Sequence, residues 1–453
     1  MDLTGLLEKL VADYDVPGAA IAVLAAGEVN EGATGVTSRR TGVVADTDTL
    51  FQIGSVTKVW TASMVLALQD QGRLDLSAPV RTYVPELKLR DESVAAALTV
   101  RHLLNHTSGL PGDYFPDTGR GDDCLERYLS VLSDVELGPP LGELFSYSNA
   151  ALVLAGLVIE RLTGGTWDAA LRSLLIEPLG LTRTVTLPEE ALLHRAAVGH
   201  LGRGDEQQVA PVWVLPRNCG PAGLIVSAVG DVAEFARMHL TGGLARDGRR
   251  VLSDESVRLM AQLTVPVPGA SQGRLGFGLG WGIGEWSGTT VLQHDGGTIG
   301  QNSALRVLPD KDVVLVLSAN GGDWFAFRDA VFAEIVPAIA GVTTPAPLQI
   351  DHTRVIADPE PYVGDYHNLG ADVTVALVDG GLTMTVRPLD ELEALAATGT
   401  PEPIALHAQE DDLFLAMLPG TLTVSPVAFV RNDAGQVTYV HVGGRAARRV
   451  SQP

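Results

Sequence analysis

The sequence predicts an α/β protein: a sheet covered by helices, with a helical region inserted between its strands and a small antiparallel β-barrel at the C-terminal end. Three observations predict this class. Strand-like apolar runs flank a long stretch of helical spacing between about residues 55 and 240. After about residue 350 the apolar period changes to two, which is typical of β-hairpins. These patterns place the domain limits at residues 1–341 and 351–453, with a linker at 342–350.

The first domain is expected to begin with a helix followed by two strands. Residues 3–14 carry apolar side chains at helical spacing, and Pro17-Gly18 breaks that pattern. The apolar run Ala19–Ala25 has the length of a buried strand, and Gly27 begins a turn into a second strand. The chain therefore enters a sheet early and leaves it for the helical region.

The end of the first domain returns to the sheet. Val313–Ser318 has the length and the β-branched composition of a strand. A last helix is expected at Phe325–Val336, stopped near Pro337, because proline lacks the backbone N–H that a helix interior needs. The segment Gly341-Val-Thr-Thr-Pro-Ala-Pro347 then has the composition of a linker.

The C-terminal region is predicted to consist of hairpins. Apolar residues alternate on both sides of the turn Asp379-Gly-Gly381, and the pattern repeats around Asn432-Asp-Ala-Gly435. About 100 residues of short strands suggest a small antiparallel barrel or sandwich.

Composition excludes several function classes. The 453 residues are 46% hydrophobic and 19% charged, with a formal net charge of −22. Such a negative field repels phosphate backbones and anionic lipids, so we expect neither nucleic acid nor membrane partners. The first residues lack the long apolar core of a secretory signal, and we expect a cytoplasmic protein. Two cysteines, Cys124 and Cys219, are too few for a disulfide framework or a zinc cluster, and no cofactor is expected.

The first chemical motif is Ser55-Val-Thr-Lys58, at the start of a segment with helical spacing. Gly54 permits a sharp entry, and the i, i+3 spacing places the serine and the lysine on one face. A serine hydroxyl needs a base, and a lysine amine whose pKa is lowered by burial can serve. Lysine is rare in this chain, which has only four, and one in an apolar helix is costly unless it is paired or functional. The pair is therefore a candidate nucleophile and base, although chance Ser-x-x-Lys remains the alternative.

A second motif, Phe145-Ser-Tyr147-Ser-Asn149, precedes another helical segment. Tyrosine and asparagine two residues apart in a loop can point into one cleft. There the phenol relays protons, and the amide holds the lysine or a substrate carbonyl. Taken alone, the motif also fits a capping residue beside a packing tyrosine.

A third motif, Gln293-His294-Asp-Gly-Gly297-Thr-Ile-Gly300-Gln-Asn302, is glycine-rich and is expected to form a turn before a strand. A backbone N–H in this turn, together with that of Ser55, can form an oxyanion hole, and His294 can polarise the site or bind substrate. The alternative for this motif is a structural turn.

The three motifs together resemble the penicillin-binding-protein and class C β-lactamase superfamily of serine hydrolases. Three further stretches also resemble it: Leu103-Leu-Asn-His-Thr-Ser-Gly109, Glu177-Pro-Leu-Gly-Leu181 and Pro221-Ala-Gly-Leu224. The resemblance covers roughly residues 5–340. It implies an antiparallel sheet with helices of the β-lactamase/transpeptidase type and an inserted all-helical subdomain.

The resemblance also assigns roles to residues. It implies Ser55 as the acylated nucleophile, Lys58 as its base and Tyr147 as the proton shuttle. Asn149 and Gly296 would line the substrate cleft. The remaining assignments are the amides of Ser55 and Gly297 as the oxyanion hole, and His294 where many relatives have lysine. This histidine resembles the esterase, D-aminopeptidase and peptide-cyclase branches more than true β-lactamases.

The C-terminal region, with Pro361-Tyr-Val-Gly-Asp-Tyr366, resembles the lipocalin-like domain that many such hydrolases carry. Stand-alone penicillin-binding-protein-type thioesterases of non-ribosomal peptide pathways have this layout. The implied function is release of a peptidyl thioester by head-to-tail macrocyclisation, with a peptidyl carrier protein as a candidate partner. Arg445 follows the last predicted hairpin, and we expect it to face the cleft and contact the substrate; a solvated tail cation is the alternative.

Two other functions remain open at this stage. A D-aminopeptidase or carboxylesterase would use the same acyl-enzyme, and a catalytically silent peptide-binding protein would keep the fold alone. His102 and His106 have the i, i+4 spacing of helical metal ligands. However, no glutamate lies between them and no third ligand is evident, so no metal site is predicted.

Overall fold

The fold was analysed in a computed structural model that describes residues 1–271, 273–389, 401–417 and 423–450. Its first part is built on an antiparallel sheet. The strands described in this sheet run, in spatial order, Glu28–Gly35, Gly18–Ala25, Val313–Ala319, Asn302–Leu308, Thr289–Gly297, Gly282–Trp286, Arg274–Phe277 and Val265–Pro266. The strands predicted at Ala19–Ala25 and Val313–Ser318 pair with each other as the second and third strands in this order.

Both faces of these two strands are buried, as their continuous apolar sequence requires. In the strand Gly18–Ala25, Ala20, Ala22 and Leu24 face one core, whereas Ala19, Ile21 and Val23 face the other. Two helices lie on the second face. One is the predicted N-terminal helix, Leu3–Leu10, and the other is Trp324–Ala340, the last helix of the part of the molecule built on this sheet, here called the body.

The helical region lies between the second and third strands of the sheet in chain order, as predicted. The α-helices described there are Thr57–Asp70, Glu92–Ala97, Val100–Leu104, Cys124–Leu132, Asn149–Thr163, Trp167–Leu171, Glu177–Leu179, Pro188–Ala191, Gly220–Gly223, Val229–Leu240 and Asp254–Met260. Every residue from Thr57 to Leu68 is buried, so the first of these helices is a core helix on all sides. Short strands at Phe51–Gln52, Val226–Ser227 and Thr184–Val185 pair beside it.

Pro337 does not stop the last helix, contrary to the prediction. The helix continues to Ala340 and ends at Gly341, whose φ of +63° is the left-handed C-cap that glycine favours. Because Pro337 lies in the final turn, it removes one backbone donor near the end of the helix without breaking its body.

The C-terminal strands close into a barrel, which confirms the predicted antiparallel β architecture. The strands described are Gly364–His367, Ala371–Val378, Gly381–Pro388, Ile404–Glu410, Leu413–Met417, Val424–Arg431, Val437–Val442 and Arg445–Arg449. The segment Gly443-Gly444 is itself the turn of the last hairpin, so Arg445 begins a strand where the sequence suggested a tail. The linker limits at 342–350 stay a prediction.

Among the described helices, no single one is long and apolar enough to cross a membrane. The helix Asn149–Thr163 and the segment Trp167–Leu179 reach that length and composition only as a pair, and the pair is bent by 75°.

Candidate active site

The nucleophile candidate lies on a tight turn. Gly54–Val56 forms one 3-10 turn, and the helix Thr57–Asp70 continues directly from it. Gly54 has a φ of +53°, which an L side chain rarely adopts, so the predicted sharp entry into the helix is present. Ser55 is partly exposed on this turn while its neighbours are buried. The turn therefore presents the hydroxyl at the start of a helix.

The strand Thr289–Gly297 ends against this turn. A Cβ on Gly54 would lie 2.6 Å from the Gly297 nitrogen, and a Cβ on Gly296 would lie 2.8 Å from the Ser55 nitrogen. Only glycines permit such a close backbone approach. The amides of Ser55 and Gly297 thus come from two segments in direct contact, which is the arrangement that an oxyanion hole needs.

The turn expected within Gln293–Asn302 lies in the second half of that motif, because Gln293–Gly297 belong to the strand Thr289–Gly297. The reversal comes later, where the Thr298 N–H donates to the Gln301 carbonyl at 2.9 Å. The glycines here serve close packing of strand on turn, and not chain reversal. The strand expected after the motif is present at Asn302–Leu308.

Lys58 reaches the serine. Its Nζ lies 3.0 Å from Ser55 Oγ and 2.7 Å from the Ala222 carbonyl oxygen, and its side chain is fully buried. Burial lowers the pKa of the Lys58 amine well below its ordinary value. The Arg445 charge lowers it further, while Asp113 opposes the shift. A neutral Lys58 can donate to the Ala222 carbonyl and accept the Ser55 proton.

Tyr147 completes a three-residue cluster. Its phenol is hydrogen-bonded to Ser55, and Lys58 Nζ lies 4.8 Å from the centre of its ring. Burial raises the pKa of Tyr147, and the bond to Ser55 only partly offsets this rise. The phenol is therefore protonated at neutral pH and can pass a proton between the serine, the lysine and a leaving group. The structure thus places Ser55, Lys58 and Tyr147 in contact, as the sequence analysis expected.

His106 supports the tyrosine ring. The two rings stack with centroids 4.3 Å apart, and the His106 Nδ1 accepts the Ser148 backbone N–H at 3.0 Å. The residue is fully buried, and burial lowers its pKa well below the ordinary value. In contrast, His102 accepts the Thr99 N–H at a helix start. Within the described residues, no group of three or more His, Cys, Asp or Glu side chains is placed to hold a metal ion.

Asn149 lies in the first turn of the helix Asn149–Thr163, but the capping residue is Ser148, whose Oγ accepts the Ala151 N–H at 3.0 Å. The Asn149 amide donates to Asp113 Oδ1 at 3.2 Å. The Asn149 amide is therefore hydrogen-bonded to Asp113, which the sequence analysis did not single out, and not to Lys58.

His294 sits on the strand Thr289–Gly297 near the tyrosine, with ring centroids 6.2 Å apart. Burial lowers the pKa of His294 to about 3, so the ring is neutral at physiological pH. Its Nδ1 contacts the Asp295 carbonyl at 2.7 Å, and its Nε2 has no hydrogen-bond partner among the described residues. That nitrogen is available to a ligand in the cleft.

The barrel contributes Arg445 to the same cluster, as predicted. The guanidinium carbon lies 4.8 Å from the centre of the Tyr147 ring. Its Nε and Nη2 donate to the two carboxylate oxygens of Asp113 at 2.9 and 2.8 Å. The Tyr147 N–H also donates to the Gly444 carbonyl at 2.9 Å, which ties the last barrel turn to the tyrosine loop.

Three contributors escaped the sequence analysis. Asp113 stands alone in a loop and carries no local signal. The Ala222 carbonyl is a backbone group inside Pro221-Ala-Gly-Leu224, which was noted only as a family feature. His106 was weighed only as a metal ligand, although its position in Leu103-Leu-Asn-His-Thr-Ser-Gly109 tied it to the family pattern.

The comparisons with known proteins agree with this geometry. A profile of the β-lactamase family matches residues 3–337. Penicillin-binding protein 4 of Amycolatopsis lactamdurans is 43% identical over 366 residues, which make up 80% of this chain and 96% of that protein.

Solved structures extend the likeness to the barrel. The crystal structure of SurE covers 99% of this chain and 98% of its own at 29% identity and a TM-score of 0.79, and SurE with D-Leu gives 27% and 0.76. D-amino acid amidase from Ochrobactrum anthropi SV3, complexed with L-phenylalanine, is 25% identical with a TM-score of 0.59. It covers 71% of this chain and 90% of its own. The chain belongs to the β-lactamase family, the superfamily of serine hydrolases and acyltransferases that includes the penicillin-binding proteins.

Proposed function

We propose that this protein is a serine acyltransferase that releases a peptidyl thioester by head-to-tail macrocyclisation. One observation carries the proposal: a buried Lys58 amine lies 3.0 Å from Ser55 Oγ, beside a tyrosine that the barrel covers with Arg445. The lysine and the tyrosine provide acyl transfer, and the cover favours an amine over water as the acceptor.

In the first step, Ser55 Oγ attacks the thioester carbonyl while its proton passes to the neutral Lys58 amine. The oxyanion is held by the amides of Ser55 and Gly297. The C–S bond then breaks, and the thiolate receives the proton from Lys58 through the Tyr147 phenol. The products of this step are the Ser55 ester and a free thiol.

In the second step, the N-terminal amine of the same peptide attacks the ester carbonyl. A new C–N bond forms, the bond to Ser55 Oγ breaks, and the proton lost by the amine returns to Ser55 through Lys58 and Tyr147. Arg445 stands beside this path. Its positive charge disfavours a protonated amine, so it favours the neutral nucleophile that this step needs.

A cavity of about 630 Å³ offers room for the peptide. Its apolar walls include Tyr114, Phe115, Leu215 and Leu224, and charged side chains also line it (Asp117, Arg120 and Arg217), so it can take a peptide with apolar and polar groups. Leu224 follows Gly223, which packs against Gly54 of the nucleophile turn. One wall of the cavity is therefore adjacent in the chain to a residue that packs against the nucleophile turn, although the three residues of the Ser55 cluster do not line it.

D-configuration at the acyl residue is part of the proposal. SurE, one of the solved structures that match nearly the whole chain, has been solved with D-Leu. The likeness to SurE includes the barrel. We therefore propose that the two proteins share the pocket for the acyl residue and, with it, the D-configuration of that residue. A carrier protein is the proposed source of the thioester.

The test is incubation with a short peptidyl thioester that has a free N-terminus and a D-residue at its C-terminus; the L-epimer is the matched control. Cyclic product from the D-peptide, with little turnover of the L-epimer, is expected. Linear acid alone would favour the second candidate, a D-aminopeptidase or esterase, which the likeness to a D-amino acid amidase supports. If the thioester is not consumed and no Ser55 adduct forms, the result would favour a catalytically silent peptide-binding protein.

A further inference from the structure

Asp113 lies where three segments of the chain meet. It belongs to the loop between the helices Val100–Leu104 and Cys124–Leu132. Two hydrogen bonds hold this loop against the segment that carries Tyr147. Ser148 Oγ donates to the Pro111 carbonyl at 2.8 Å, and the Asn149 N–H donates to the Gly112 carbonyl at 3.0 Å.

The barrel packs closely against the loop that carries Asp113. A Cβ on Gly112 would lie 2.8 Å from the Tyr147 carbonyl oxygen and 3.0 Å from Arg445 Cγ. A Cβ on Gly370, in a second barrel loop, would lie 3.1 Å from the Asp113 Cβ. This tight packing leaves Asp113 little freedom, and its side chain is only 15% exposed.

The Asp113 carboxylate links the barrel to the cleft. Both of its oxygens accept from the Arg445 guanidinium in a bidentate pair, and Oδ1 also accepts from the Asn149 amide. A bidentate pair fixes the plane of the guanidinium as well as its distance. The guanidinium is thereby held over the Tyr147 ring at 4.8 Å.

We propose that Asp113 is a positioning residue for acyl transfer: it fixes Arg445 against the Tyr147 ring, so that the last barrel turn becomes a working part of the Ser55 site. The inference rests on the proposed function. The competing interpretation is an ion pair that only holds the barrel to the body, whose loss would lower stability and leave Arg445 in place beside Lys58.

The pH profile of Ser55 acylation separates the two interpretations. Acylation requires neutral Lys58, so the rate falls as the pH drops through the pKa of that amine. The titratable and charged groups around it are Arg445, Asp113, Cys219, Tyr147, His106 and His294. A nearby Arg445 lowers the pKa of Lys58, and Asp113 raises it.

The experiment compares wild type, Asp113→Asn, Arg445→Gln and the double variant. The D-terminated peptidyl thioester is the acyl donor, and Ser55 acylation is followed by intact mass across pH. Asp254→Asn is the matched control, since it removes an exposed aspartate that pairs with Arg258 at 2.9 Å. Thermal unfolding of each variant checks folding, and Asp113→Glu provides a second variant that keeps the charge.

If Asp113 positions Arg445, each single variant should slow acylation by about 10- to 100-fold, the cost of a misplaced group near the reacting atoms. The double variant should be no slower than Arg445→Gln, within about twofold. In both single variants the acid limb should move to higher pH, because the positive charge beside Lys58 is removed or displaced. Asp113→Glu should recover part of the rate.

Additive losses in the double variant would overturn the inference. So would an acid limb that moves to lower pH in Asp113→Asn, the result expected if a negative charge is lost and Arg445 stays in place. Unchanged acylation in Asp113→Asn would also overturn it. In each of these outcomes the wild type is still acylated, so the proposed function survives; a wild type that never acylates would refute the proposed function itself.

Discussion

Lys58 shows how a single residue converts burial into chemistry. In water its amine would be protonated at neutral pH and useless as a base. In the protein it is fully buried, and Arg445 adds a like charge. Both effects favour the neutral amine in the folded protein, at a cost in stability, because the unfolded chain would protonate it.

The first prediction concerns Lys58→Met. Loss of the general base should reduce Ser55 acylation by about 10²- to 10⁴-fold. Stability should move the other way near neutral pH: the folded-state pKa of Lys58 lies below the unfolded value, so wild-type stability rises with pH up to about 10, the usual lysine range. Lys58→Met lacks this dependence and should unfold at a higher temperature than wild type at pH 7, with the gap closing as pH rises.

Lys311→Met is the matched control, because Lys311 is exposed at the end of a surface turn. Its acylation rate should not change, and its free energy of unfolding should stay within about 0.5 kcal/mol of wild type. A Lys58→Met protein that acylates at the wild-type rate would show that another group removes the Ser55 proton.

His294 illustrates the opposite case, a titratable residue that should not titrate in the working range. With a pKa lowered to about 3 it is neutral from about pH 5 to 8. We predict that His294→Asn changes the rate of acylation and leaves the acid limb of its pH profile where wild type has it. Loss of that limb in the variant would assign the titration to His294 and not to Lys58.

At the scale of elements, the site depends on a strand that ends on a turn. The sequence signalled both pieces, since Gly54 before Ser-x-x-Lys and the paired glycines after His294 mark special backbone positions. It did not show that the first half of the motif Gln293–Asn302 is strand and that only the second half turns, because glycine favours turns when only local sequence is considered. Contact of that segment with the nucleophile turn, which lies far away in the chain, decides its conformation.

Pro337 is a second position where the local sequence preference does not decide the structure. Proline predicts a helix end, yet the helix runs on to Ala340, because apolar residues on either side of it, such as Val336 and Ile339, pack in the core under the sheet. Tertiary packing outweighs the local preference when the proline falls in the last turn.

Gly296→Ala is the prediction at this scale. The new Cβ would lie 1.9 Å from the Ile53 carbonyl oxygen and 2.8 Å from the Ser55 nitrogen, so strand and turn must separate. We expect a loss of about 1–3 kcal/mol in the free energy of unfolding. Acylation should also slow by about 10²-fold, since the Ser55 amide leaves its place in the oxyanion hole.

Gly381→Ala serves as the control, because it lies in a barrel strand and its nearest neighbour to a new Cβ is the Val378 carbonyl oxygen at 3.7 Å. Denaturant unfolding and the acylation rate should both stay close to wild type for this variant. Equal effects in the two variants would contradict the close approach at Gly296.

At the scale of the whole molecule, the barrel and the body share one site. Fold class, the helical insertion and the barrel follow from apolar periods, which are local and repeat many times. The pair of Asp113 and Arg445 spans 332 positions, and no local pattern encodes it. The sequence could place Arg445 near the cleft only through a family resemblance, and it could not name the aspartate that holds it.

The cavity lined by Leu215 and Leu224 gives a prediction at this scale. Leu215→Trp should fill part of its volume of about 630 Å³. The KM for thioesters with bulky apolar residues should rise, while that for short acyl thioesters should stay the same. Leu192→Trp, at a position that is 82% exposed, is the control for a surface tryptophan. An equal change for long and short substrates would exclude the cavity as the peptide site.

The central claim is that Ser55 forms an ester with the acyl group by proton transfer to Lys58. Its most direct test is peptide mapping by mass spectrometry after a brief reaction with the D-terminated peptidyl thioester, in wild type, Ser55→Ala and Lys58→Met. We predict one acyl adduct, on Ser55 in wild type, absent in Ser55→Ala and strongly reduced in Lys58→Met. An adduct on any other residue, or one that persists in Ser55→Ala, would contradict this account.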